Sequence, residues 1–98
     1  MEQLERITQM EQALDDSAGA VAALSAALRQ YRAVRGRLQA LTEYYESGLW
    51  LRDYEDDCAG ALPAGLKRGV LSQDAVYNLL SDHDRLMEDL QLLTHGQE

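Results

Sequence analysis

Apolar residues recur with a helical period along most of the chain. Ile7, Leu14, Val21 and Leu28 repeat every seven positions, and Met10, Ser17, Leu24, Tyr31, Leu38 and Tyr45 form a second seam beside them. Ala13, Ala20, Ala27, Val34 and Leu41 flank that seam, and small flanking residues let another helix approach closely. The pattern predicts one long helix over residues 2–45. Asp15, Asp16 and Ser17 could break it, but the seven-residue phase passes through them unshifted. Gly19 and Gly36 each cost about 1 kcal/mol relative to Ala and mark the places where the helix could bend.

Ser47 and Gly48 interrupt the repeat, and a short helix is expected over residues 49–58, with Gly60 past its end. Trp50 and Tyr54 stand four apart there and share a face. Residues 59–71 hold the only Pro, Pro63, and read as a loop. Ser72 is a good N-cap for a last helix over residues 73–93. Asp74 suits the positive helix end, and Leu71 can staple onto Val76. At 1.5 Å per residue the first helix would be roughly 65 Å long and the last about 32 Å. The last helix can therefore cover only half of the first. The expected fold is all-α: two long helices plus a short aromatic-rich one in a single domain, an antiparallel helical bundle with coiled-coil character, completed as a homodimer.

Composition sharpens this picture. The chain has 98 residues, no Phe and a net charge of −8. That charge argues against a general phosphate-backbone binder and against attachment to anionic lipid, so neither nucleic acid nor membrane is expected as a partner. The longest apolar stretch, residues 18–28, is too short to span a bilayer. One Cys cannot form an intrachain disulfide, the N-terminus is acidic rather than signal-like, and the expected compartment is the cytoplasm. Charge is banded. Residues 1–28 carry −4 (Arg6 against five acids), and residues 29–37 carry +4 from Arg29, Arg32, Arg35 and Arg37. The arginine band is expected to meet an acidic helix or a dimer mate.

Candidate chemistry concentrates in residues 44–72, which hold four of the six aromatic residues, the only Cys and four of the seven Gly. Tyr45, Trp50 and Tyr54 can form a recognition surface, since Tyr and Trp are enriched at binding hot spots, or can anchor the short helix by packing. Asp53, Glu55, Asp56 and Asp57 lack the spacing of a calcium loop and read as a solvated face. His83 and His95 belong to no ligand pattern, and no metal or cofactor is expected. Lys67, Arg68 and Gly69 precede the Ser72-capped helix, where two cations and free backbone N–H groups suit a phosphate or carboxylate. Their competing role is to pair with nearby acids.

The run YYESGLWLRDYEDDCAGALPAGLKRGVLSQDAVYNLL, with the opening MEQLERITQMEQAL, resembles the bacterial domain-of-unknown-function family 4298 over nearly the whole chain. Its most specific pieces are Tyr44, Tyr45, Ser47, Trp50, Asp53, Gly60, Leu62, Pro63, residues 69–72 and Asp74. Where that family often carries an acidic residue after the Ser, this chain has Gln73. The resemblance implies a small helical protein with no assigned activity. It singles out Trp50, Asp53, Lys67, Arg68, Ser72 and Asp74 as the positions to test.

The expected function is a non-catalytic protein-protein interaction or regulatory module, using Tyr45, Trp50, Asp53, Lys67, Arg68, Ser72 and Asp74 toward a protein partner. The alternative is a small enzyme or anionic-ligand binder at the turn of residues 67–72. A remoter one is an acidic nucleic-acid mimic, which the arginine band counts against.

Overall fold

The computed structural model describes residues 2–96 and is all-α: three α-helices and one 3-10 turn, with no strand among the described residues. Helix α1 is Glu2–Glu46, α2 is Leu49–Cys58 and α3 is Ala75–Thr94. The chain divides into two units, residues 1–37 and 38–98.

The described residues of the first unit are helix alone. Ala, Leu, Gln, Glu and Arg dominate it, all strong helix formers, and Glu2 and Glu5 sit in its first turn, where the helix dipole favours negative charge. Neither the acidic pair at 15 and 16 nor Gly19 interrupts it. Three side-chain bonds in this unit each span four residues of the helix. Thr8 Oγ1 donates to the Leu4 carbonyl at 2.8 Å, Gln12 Nε2 to Asp16 Oδ1 at 2.9 Å, and Arg29 Nη1 to Ser25 Oγ at 3.1 Å. No described residue of α1 is buried.

In the second unit the helix breaks are built by glycine. Ser47 Oγ donates to the Tyr44 carbonyl at 3.0 Å and accepts the Leu49 N–H at 3.3 Å, while Gly48 turns the chain at φ 90°. Helix α2 ends in a Schellman motif: the Gly60 N–H reaches the Asp57 carbonyl and the Ala61 N–H the Asp56 carbonyl, both at 3.0 Å, with Gly60 at φ 72°. That geometry directs the exit of the loop carrying Pro63.

The expected loop is not structureless to its end. Residues Gly69–Leu71 form a 3-10 turn that packs against α2 on one side and α3 on the other. Helix α3 begins at Ala75, two residues later than the sequence reading. Ser72 is extended (φ −69°, ψ 144°), closes the 3-10 turn through its N–H to the Gly69 carbonyl, and accepts the Ala75 N–H on its hydroxyl at 3.2 Å. Residues 73 and 74 are thereby held in a turn before the helix. Asp74 makes no side-chain capping bond, and its carbonyl starts the helical ladder by accepting the Asn78 N–H at 2.8 Å. Leu71 and Val76, the two positions a hydrophobic staple would join across this entry, are buried.

Gly60→Ala is expected to destabilise the second unit by about 1–2 kcal/mol, because a Cβ in the left-handed region is strained even with open space around it. Gly19→Ala, in helical backbone with nothing within 4 Å of the added carbon, is expected to stabilise α1 by up to about 1 kcal/mol. Urea unfolding followed by Trp50 fluorescence for the first and by helical circular dichroism for the second checks both.

Candidate functional site

The aromatic side chains of the second unit form one connected group around Trp50. Tyr45, from the end of α1, meets the Trp50 ring edge-on, with centroids 5.2 Å apart and an interplanar angle of 65°. Tyr54, one helical turn on from Trp50, stacks nearly parallel at 5.1 Å and 10°. Both arrangements suit the ring quadrupoles. The indole N–H donates to the Val70 carbonyl at 2.8 Å, tying α2 to the 3-10 turn across twenty positions of sequence. All three rings are half-buried.

Two of the four acids on α2 are also engaged. Asp53 accepts the Tyr44 hydroxyl at 2.6 Å, and Asp57 pairs with Arg68. The Arg68 guanidinium further donates to the Pro63 carbonyl and, through Nε, to the Leu66 carbonyl at 3.3 Å. This planar fork spans the loop and fastens it to α2, a task that fits five fixed donors better than a single ammonium. Glu55 and Asp56 stay exposed.

The residues singled out by sequence therefore separate. Tyr45 and Trp50 come together. Asp53 and Arg68 each engage a different residue, Tyr44 and Asp57. Lys67 is exposed, with no hydrogen bond or ion pair among the described residues. Ser72 caps the approach to α3, and Asp74 is exposed. The sequence named Tyr44, Asp57 and Gln73 without giving them a place in the site, and it did not point to the Val70 carbonyl. The four-residue spacing of Asp53 and Asp57 on α2, and the expected pairing of Lys67 and Arg68 with nearby acids, were the signals for Asp57. Gln73 donates its amide N–H to the Tyr54 hydroxyl at 2.8 Å, a role an acidic residue there could fill only with the donor and acceptor reversed.

A shallow depression opens beside this group, lined by Tyr45, Glu46, Tyr77, Leu80, Ser81 and Asp84. Among the described residues no group of three or more His, Cys, Asp or Glu is placed to hold a metal ion. Among the described residues no helix is long and apolar enough to cross a membrane.

Residues 7–92 match a protein-family model described as Domain of unknown function (DUF4298). The chain belongs to this family. No curated protein and no solved structure matches it. The span matched to DUF4298 takes in α2, the loop, the 3-10 turn and all the contacts around Trp50 and Arg68.

The electrostatics of this DUF4298 site centre on its tyrosines. Burial pushes the Tyr44 phenol up from 10.0 to about 12, and the hydrogen bond to Asp53 and that carboxylate's charge push it the same way. Tyr54 is also raised, first by its hydrogen bond with the Cys58 side chain and then by desolvation, against an opposing pull from Gln73.

Because the Tyr44 pKa is raised on folding, its contribution to stability is fully present below pH 10 and is lost as pH rises from 10 through about 12. Asp53→Asn is expected to move the Tyr44 titration down toward 10 without restoring it fully, since burial remains. Tyrosinate absorbance, with Tyr44→Phe to assign the step, checks this. Arg68→Ala is expected to cost about 1–2 kcal/mol, a value lowered for the partial exposure of the pair, and Lys67→Ala less than about 0.5 kcal/mol. Urea melts of the two variants compare them directly.

Proposed function

We propose that the protein is a non-catalytic protein-protein interaction or regulatory module whose contact surface is the apolar face of α1. One observation carries this reading. Seven large apolar side chains of the first unit stand open to solvent: Leu4 at 60%, Ile7 at 49%, Met10 at 59%, Leu14 at 62%, Val21 at 67%, Leu24 at 59% and Leu28 at 47%. Scattered exposed leucines need no explanation, but seven at helical spacing form a continuous stripe. Covering such side chains is worth roughly 25 cal/mol per Å² of apolar surface, which favours a second helix against them.

The simplest cover is a second copy of the chain, giving an antiparallel helical bundle completed by homodimerisation. In this reading the aromatic group and the turn of residues 67–72 hold the second unit in shape, and any further protein partner meets their exposed edges. The unpaired Cys58 suits a reducing cytoplasm. The alternative, an anionic-ligand binder at that turn, has less support because Arg68 is engaged with Asp57 and two loop carbonyls.

Sedimentation equilibrium tests the reading. The wild type is expected at twice its 11.0 kDa chain mass and Leu14→Asp/Val21→Asp at the chain mass, with Trp50 fluorescence unchanged in the variant. A wild type that stays monomeric at every concentration would remove the second copy from the bundle.

A further inference from the structure

We infer that the depression between the end of α1 and α3 takes the side chain of an arginine carried by a partner protein. This deepens the reading of the chain as an interaction module by naming the chemistry of a further partner. It is independent of self-association through α1.

Two elements of the second unit build the depression. Tyr45 and Glu46 come from the last turn of α1, and Tyr77, Leu80, Ser81 and Asp84 from α3, at the three- and four-residue spacing that keeps side chains on one helix face. Two carboxylates and two aromatic rings line it, and no cation does. Its polar groups are largely uncommitted. Glu46 and the hydroxyls of Tyr77 and Ser81 make no hydrogen bond or ion pair among the described residues. Asp84 has one oxygen 3.3 Å from His83 Nδ1, and its side chain is otherwise open to solvent. Tyr77 is 61% exposed.

The charge here runs against the helix dipole. The last carbonyls of a helix carry partial negative charge, which a cation stabilises. The last turn of α1 has no basic residue and holds Glu43 and Glu46 instead, and Asp84 adds a further carboxylate from α3. Such a breach of a local rule is expected where a binding function requires it.

The group that fits is a guanidinium. A metal ion needs several close ligands, and among the described residues no group of three or more acids, His or Cys is placed to hold one. A lysine ammonium is compact and strongly hydrated, and gains little from carboxylates open to water. A guanidinium is planar and more weakly hydrated, so it can lie on a tyrosine ring while its N–H groups reach a carboxylate. Leu80 suits the aliphatic stem behind it. Shape indicates the source. An open depression of about 340 Å³ holds one long side chain while the main chain bearing it passes outside. A free small ligand needs a more enclosing cavity.

Amide chemical shifts of the full chain, titrated with the peptide acetyl-Gly-Gly-Arg-Gly-Gly-amide, test the inference. Saturable shifts are expected at residues 45, 46, 77, 81 and 84, at about the millimolar level for a single side chain. The lysine peptide is expected to bind about three-fold more weakly, and the citrulline peptide, uncharged and of the same shape, not to saturate. Glu46→Gln and Tyr77→Leu are each expected to weaken the arginine peptide about three- to five-fold, with Trp50 fluorescence unchanged. Glu55→Gln, at an exposed acid on α2 outside the depression, is expected to change nothing. Equal binding of the arginine and lysine peptides, shifts spread as strongly over the acids of α2, or no saturation up to about 10 mM would overturn the inference. A monomeric wild type in sedimentation would leave it standing, just as a failed titration would leave the α1 surface standing.

Discussion

The second unit depends on how Trp50 is held. Its ring is bracketed by Tyr45 from α1 and Tyr54 from α2, and its single polar atom reaches the carbonyl of Val70. Removing that bond would leave a carbonyl unpaired and the 3-10 turn fastened mainly through Arg68. With it, the turn is pinned to α2, Leu71 is buried, and Val76 is buried at the start of α3. The entry to α3 follows from that turn, because Ser72 closes the turn with its N–H and caps the helix approach with its hydroxyl. One indole thus fixes the order of contacts from the end of α1 to the start of α3.

Arg68 does for the loop what Trp50 does for the turn. The Schellman exit at Gly60 and the rigid Pro63 carry the chain away from α2, and without a tether the loop would have little to hold it. The guanidinium joins the Asp57 carboxylate to two loop carbonyls. Its neighbour Lys67, with the same charge, faces solvent. The difference lies in position on the loop as well as in residue type.

Much of the local structure was legible in the sequence because it follows from short-range rules. The seven-residue phase carried through Asp15, Asp16 and Gly19 as the helix does, and Ser47, Gly48 and Gly60 announced chain reversals that need positive φ or a capping hydroxyl. The candidate site was legible only in part. Enrichment in aromatic residues pointed to Tyr45, Trp50 and Tyr54, but nothing local says that an indole will find a carbonyl twenty residues on. Nor could spacing choose Asp57 over Asp53 for Arg68, since both lie on α2 and only the path of the loop decides. The late start of α3 has the same origin: Ser72 is shared between two elements, and that sharing depends on a 3-10 turn for which no sequence signal is strong.

The contact proposed for this chain would cover the open apolar surface of α1. Among the described residues no buried side-chain nitrogen or oxygen is without a hydrogen-bond partner. Apolar surface is a different matter, since only Leu71 and Val76 are buried hydrophobic residues while large apolar side chains of α1 are open to water. A missing helix leaves an apolar stripe with charges along its edges. On the reading proposed above, the stripe supplies non-directional attraction to a second helix. On that reading an interaction surface on α1 accounts for the open apolar stripe, which a reactive centre in the loop would leave without a role.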